Sequence, residues 1–192
     1  MRYWTSDLHF GHVNIIEYTG RPFVDTNHMR EMLVQYWNET VGADDEVMIV
    51  GDFAMGRILE TLPVATRLNG YKILIPGNHD RCWEGASGNP EKHREWVKEY
   101  SKYFEIRNGP IHVDIDGYEV LVNHFPYIEM DRHGDRYSAW RSEDEGLWLI
   151  HGHTHEHVNI KPHSREIHVG LDAWDCRPVP EDWIAEMIRS HS

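Results

Sequence analysis

The sequence predicts an α/β protein, and three observations carry that prediction. β-Branched and aromatic runs alternate with stretches of helical periodicity through the first hundred or so residues. The runs end in polar loops carrying Asp, Asn or His, and a hairpin signal marks a second group of strands after Tyr103. In α/β proteins, functional sites gather in such loops, beyond the carboxyl ends of the strands.

The elements follow in chain order. Met1 to Ser6 reads as a strand, and Asp7 to His12 as the loop behind it. Thr26 to Thr40 carries Met29, Leu33, Tyr36 and Trp37 at helical spacing, which predicts a helix returning the chain to the sheet. Glu46 to Val50 is a buried strand ended by Gly51-Asp52. Arg57 to Leu68 is expected to be helical around Pro63, and Tyr71 to Pro76 is a third strand ending in the Gly77-Asn78-His79 turn. A polar, Gly-rich stretch from Arg81 to Pro90 leads into a short helix from Glu91 to Tyr100. Ile111 to Ile115 and Tyr118 to Val122 flank Asp116-Gly117, the dipeptide of a tight hairpin. Leu147 to Ile150 and Glu166 to Val169 read as further strands, and Glu181 to Arg189 as a closing helix. The charged stretch from Glu129 to Glu145 is expected to be a mobile insert.

A chain of 192 residues without repeats or linkers fits one domain, 1–192, with a sizeable core. Two cysteines, Cys82 and Cys176, make no disulfide framework, so a reducing, cytoplasmic setting is expected. Met1 leads into Arg2-Tyr3-Trp4-Thr5-Ser6-Asp7 with no apolar run and no long apolar run follows, so neither export nor membrane association is expected. The formal charge of −13 disfavours stable binding to nucleic-acid backbones. It does not exclude a small anionic substrate, because bound divalent cations would reverse the local field.

Five distant stretches carry metal-ligand side chains: Asp7-Leu8-His9, Gly51-Asp52, Gly77-Asn78-His79-Asp80, Asn123-His124 and Gly152-His153-Thr154-His155. Carboxylate, amide and imidazole donors together suit Mn²⁺, Fe, Zn²⁺ or Ni²⁺. Asp7 and His9, two apart in an extended segment, point to one side of the chain. Asp52 ends a buried strand behind a glycine, and its two oxygens would let it bridge two ions. Each fragment alone has an ordinary structural explanation: an Asx turn at Asn78, a core histidine at His124. Five such coincidences at strand ends in one small chain do not. His151 and His157 extend the last cluster, and spacing alone does not rank the four histidines there.

With the order DxH, GD, GNHD, H, GHxH, the chain resembles the calcineurin-like metallophosphoesterases from Asp7 to His155. The opening Asp7 to His12, with Asn14-Ile15-Ile16 and Arg21-Pro22-Phe23 behind it, is similar to the small single-domain prokaryotic and phage members. The resemblance implies a four-layer α/β/β/α sandwich of two mixed sheets. It implies that Asp7, His9 and His155 hold one ion and Asn78, His124 and His153 the other, with Asp52 bridging. It implies that His79 protonates the leaving oxygen during in-line hydrolysis at phosphorus. The chain departs from the family's protein phosphatases, whose GDxxDRG appears here as Gly51-Asp52-Phe53-Ala54-Met55-Gly56-Arg57. A phosphoprotein substrate is therefore not expected. Asp80 is a candidate support for His79, and His12, Arg21 and Arg57 are candidates for substrate contact.

The expected activity is a dinuclear metal-dependent phosphodiesterase acting on small or cyclic nucleotides, with Mn²⁺ the favoured ion. The alternatives are a phosphomonoesterase of the same fold and a silent metal-binding scaffold. An amidohydrolase barrel needs roughly 250 residues, more than this chain has.

Overall fold

The computed structural model describes residues 1–128, 136–161 and 164–191. Its elements are β1 (Arg2–Thr5), α1 (Ile15–Thr19), α2 (Thr26–Thr40), β2 (Glu46–Ile49), α3 (Ile58–Thr61), β3 (Tyr71–Leu74), α4 (Pro90–Tyr100) and β4 (Glu105–Ile106). The second half contributes β5 (Ile111–Ile115), β6 (Tyr118–Val122), β7 (Trp148–His151), β8 (Glu166–His168), β9 (Val179–Pro180) and α5 (Glu181–His191).

Two mixed sheets result. The first has the order β4-β3-β2-β1-β9, parallel except for β9; the second has the order β5-β6-β7-β8, parallel except for the β5/β6 hairpin. Strand alternation divides the core. Trp4, Met48, Val50, Ile73 and Ile75 of the first sheet and the strand ends behind it join Val120, Val122, Ile150 and Ile167 of the second in one buried cluster. The other face of the first sheet presents Val47, Ile49 and Leu74 to Met29, Leu33, Val34 and Trp37 of α2. Fully burying each such side chain is worth about 1.5–3 kcal/mol, so this two-sided burial anchors the strands whose ends carry the polar loops.

Helix ends follow local chemistry. The Asp25 carboxylate accepts from the His28 backbone N–H at 2.7 Å and starts α2. Asn89 caps α4 with Pro90 at its first position, one residue before the expected start. The helix expected from Arg57 to Leu68 is split into α3 and a 3-10 segment, Leu62–Arg67, because Pro63 has no N–H to continue the α-helical ladder.

Helices were expected outside both sheets, and among the described residues only the first sheet meets that expectation. Leu121 and Leu149, on the outer face of the second sheet, pack with Tyr127 and Leu147, while α5 places Ile184, Ala185 and Ile188 in the inter-sheet cluster. The expected mobile insert lies outside the described residues at positions 129–135. Its remainder includes a 3-10 turn, Ser138–Trp140. No helix among the described residues is long and apolar enough to cross a membrane.

Candidate metal centre

The loops after β1, β2, β3, β6 and β7 meet at one end of the two sheets. Backbone bonds zip them together: Asp7 N–H donates to Gly51 O, His9 N–H to Asp52 O and Gly152 N–H to His124 O, all at 3.0–3.1 Å. Two clusters form there. The donor atoms of Asp7, His9 and His155 lie within 4.8 Å of one another, and so do those of Asp52, His124 and His153.

Each carboxylate is tethered by one oxygen and presents the other. Asp7 Oδ2 accepts from the Ser6 hydroxyl and from the His153 N–H at 2.9 Å. Its Oδ1 is buried without a partner, 3.7 Å from His9 Nε2 and 3.9 Å from His155 Nε2. Asp52 Oδ1 accepts from the His79 N–H at 2.9 Å. Its Oδ2 stands 3.6 Å from His9 Nε2 and 3.5 Å from His124 Nε2. Oδ2 is thus the oxygen near histidines of both clusters, while Oδ1 accepts from backbone. Asn78 Oδ1 lies 3.1 Å from His124 Nε2.

These donors fit divalent ions. Ligands about 2.0–2.2 Å from an ion stand roughly 3–3.6 Å apart along the edges of its coordination shell, close to the separations seen. Both ring nitrogens of His9 are buried and unpaired, as is Asp7 Oδ1. Leaving such groups unsatisfied costs about 1–3 kcal/mol each. An ion would satisfy Asp7 Oδ1 and one of the two ring nitrogens of His9.

Backbone strain points to the same residues. Asp7, His9, Asp52, His153 and His155 all have φ between 50° and 71°. Non-glycine residues rarely adopt this left-handed region, and strain of about 1–3 kcal/mol each persists where function requires the geometry. Sequence spacing placed these residues together, but the turns that aim them are not extended segments. Two glycines make the approach possible. A Cβ on Gly77 would lie 2.4 Å from Asp52 Oδ1, and one on Gly152 would lie 2.5 Å from Asp7 Oδ2.

Charge and hydrogen bonding set the protonation pattern. Burial would raise the Asp7 and Asp52 pKa values, but the surrounding imidazoles overcome it and hold both carboxyls below the usual range. Burial would lower His124, yet Asp52 and Asp7 raise it to about 9. Its Nδ1 lies 2.8 Å from Val50 O, which directs Nε2 to the centre. His79 stands at the exposed rim, with its ring 5.4 Å from that of His9. Desolvation by the surrounding loops lowers its pKa, with Asp52 opposing.

Three expectations change. Asp80 does not support His79: its buried carboxylate accepts from the N–H groups of Asp52 (2.8 Å), Phe53 (3.1 Å) and Gly77 (3.0 Å), clamping two ligand loops. Burial and the nearby Asp52 push its pKa up to about 7. Arg21 does not face a substrate, because its buried guanidinium binds Asp172 through two bonds of 2.8 and 3.1 Å and donates to the Asp7 and Leu8 carbonyls. Arg57 points to solvent and pairs with Glu60 at 3.3 Å. His12 does lie beside the centre, its ring 5.3 Å from that of His9, and burial with neighbouring imidazoles lowers its pKa to about 4.

Asp172 was missed. It accepts from His155 Nδ1 at 2.9 Å and so turns His155 Nε2 toward Asp7. A signal existed, since Gly170-Leu171-Asp172 repeats the glycine-then-acid pattern of Gly51-Asp52 after a buried strand. His151 lies inside β7, with its Nδ1 2.8 Å from Gly152 O, and is not among the cluster residues. His157 places its Nδ1 2.9 Å from Asp172 O and is likewise outside the clusters.

No profile of a known protein family matches the chain. It is 37% identical to the Gene 66 protein of Mycobacterium phage D29, over 97% of this chain and 94% of that one. It is 28% identical to an uncharacterized protein of Methanocaldococcus jannaschii, over 97% and 90% of the two chains. Its fold is similar to the crystal structure of a protein of unknown function from Aquifex aeolicus, with a TM-score of 0.68, 24% identity, and 97% and 98% of the two chains covered.

Proposed function

The chain belongs to the family of the Gene 66 protein of Mycobacterium phage D29, and for it we propose a dinuclear metal-dependent hydrolysis of phosphate esters, with a phosphodiester of nucleotide type as substrate. The observation that carries this reading is Asp52 Oδ2. It lies within 3.6 Å of a histidine of each cluster, on a residue whose backbone is left-handed. The two facing mixed sheets support assignment to the calcineurin-like metallophosphoesterase sandwich, with the outer face of the second sheet covered, among the described residues, by side chains such as Tyr127 and Leu147.

Asp7, His9 and His155 would hold one ion; Asn78, His124 and His153 the other; Asp52 both. Ions there, Mn²⁺ first among them, would supply Lewis acidity, neutralising charge on phosphoryl oxygens and lowering the pKa of water. The protein's own work is positional. Asp172 and the Val50 carbonyl fix the directions of His155 and His124, and Asp80 holds the Asp52 and Gly77 loops at a common height. In its protonated form His79 would give a proton to the departing oxygen, and its backbone N–H, which donates to Asp52, keeps the residue in register with the centre. Because Arg21 and Arg57 are engaged elsewhere, bound ions would be the main source of positive charge among the described groups at the centre. That favours a singly charged diester over a doubly charged monoester.

The test is hydrolysis of bis(p-nitrophenyl) phosphate and p-nitrophenyl phosphate by the Mn²⁺-loaded protein, with a chelator control. Faster diester hydrolysis, abolished by the chelator and restored by Mn²⁺, is expected. Faster monoester hydrolysis would reverse the preference, and no turnover of either with ions bound would leave a metal-binding scaffold.

A further inference from the structure

We propose that the aromatic cluster of Trp83, Phe125, Tyr137 and Trp140 beside the metal centre is a subsite for a neutral planar ring of nucleobase class, carried by the ester. The assignment of the ring to an ester rests on the phosphoesterase reading above. The cluster begins at a metal-ligand candidate. The His153 ring lies 5.0 Å from Phe125 and 5.3 Å from Tyr137, and Phe125 and Tyr137 stack at 5.0 Å with 26° between planes. Trp83 continues it outward, 5.7 Å from Phe125 and 4.7 Å from Trp140.

Gly85 leaves room for the Trp83 indole. A Cβ on Gly85 would come within 2.4 Å of its six-membered ring, so only glycine allows the indole to lie where it does. Trp140 is 37% exposed and offers its surface to solvent. Trp83 and Trp140 border a shallow recess, lined also by Pro76 and Asn123, next to the Asn78 and His124 loops. A ring would therefore lie against the exposed outer surface of Trp140 rather than inside a closed cavity.

The lining chemistry selects the class of ligand. Among the described residues the recess has no Lys or Arg, and its one charge is the Glu84 carboxylate, paired with the Asn108 amide at 2.7 Å. A second phosphate would be repelled there. An uncharged ring carrying an amino or imino N–H can stack on the indoles and donate to that rim. The phosphate stays at the ions.

The experiment compares two diesters with the same p-nitrophenolate leaving group, the p-nitrophenyl ester of thymidine 5′-phosphate and methyl p-nitrophenyl phosphate, on the Mn²⁺-loaded protein. The wild type is expected to favour the thymidine ester about tenfold or more in kcat/KM, mostly through KM, as expected for base stacking on aromatic side chains. Trp140→Ala and Trp83→Ala should each cut that ratio at least about fivefold. No preference in the wild type, or an unaltered ratio in both variants, overturns the proposal. Binding of phosphate-free adenosine, read by quenching of tryptophan fluorescence, separates this inference from the enzyme reading. Saturable quenching weakened in Trp140→Ala upholds the subsite even if neither diester is cleaved, and quenching that is absent or unchanged in the variant refutes it.

Discussion

Replacing Asp172 with Asn removes one charge from a place where it serves two partners. The Asp172 and Arg21 side chains are each 1% exposed, joined at 2.8 Å, and the same carboxylate accepts from His155 Nδ1. Breaking a buried pair by neutralising one partner costs about 3–5 kcal/mol, because the other charge stays buried without compensation. For a chain of this size, each kcal/mol lowers Tm by about 2–4 °C, so a fall of roughly 6–20 °C is expected. Loss of a carboxylate that orients a metal-ligating histidine costs about 10- to 100-fold in metal affinity. Calorimetric melts of the metal-free protein and Mn²⁺ titrations measure the two effects separately. A control sharpens the comparison: Arg67 and Glu31 pair at 2.6 Å but are 44–52% exposed, so Glu31→Gln should melt with the wild type. If Asp172→Asn binds Mn²⁺ as tightly as wild type and melts within about 2 °C of it, the positioning argument fails.

Three further outcomes follow from the centre. His79→Ala should keep its metal content yet lose about 10²- to 10⁴-fold in kcat, with a larger loss for an alkoxide than for a p-nitrophenolate leaving group; undiminished rates on both would remove the imidazole from the mechanism. His124, raised to about 9 against an unfolded value near 6.5, stabilises the metal-free fold fully below that lower pH, and the contribution fades as pH rises through about 9. An ion must displace that proton, so Mn²⁺ affinity should climb about tenfold per pH unit up to about 9, with proton release detected by titration calorimetry in buffers of different ionisation enthalpy; uptake without released protons contradicts the assignment. In Gly77→Ala, the new methyl must force Asp52 Oδ1 back by about 1 Å to reach ordinary contact, and a loss of about 10²-fold in turnover is expected, whereas wild-type rates would show the close approach to be dispensable.

Much of this was legible because hydrophobic runs and punctuation coincide. Glu46 to Val50 ends at Gly51-Asp52, and Tyr118 to Val122 ends just before His124, so the strand ends could be read together with their donors. Helix α2 and the β5/β6 hairpin fall on the expected residues because Asp25, the 3.6-residue spacing and Asp116-Gly117 act locally. Other features depend on partners far along the chain. The directions of Asp80 and Arg21 depend on backbone groups at Asp52 and Asp7 and on a carboxylate 151 positions away, which no local pattern encodes. The two-residue strands β4 and β9 are too short to show a period; β9 carries Pro180 on a sheet edge, where a missing N–H is tolerated. Left-handed turns at five donors replace the extended geometry that spacing suggested, since only the assembled loops can hold that strain.

The most direct measurement is the metal content of the purified chain after Mn²⁺ loading and dialysis, determined by mass spectrometry of the elements for wild type and Asp52→Asn. About two ions per chain are expected in the wild type, and clearly fewer in the variant with its circular dichroism unchanged. A wild type that retains no divalent ion under any loading condition, or an Asp52→Asn protein that retains the full complement, would contradict the shared-carboxylate centre.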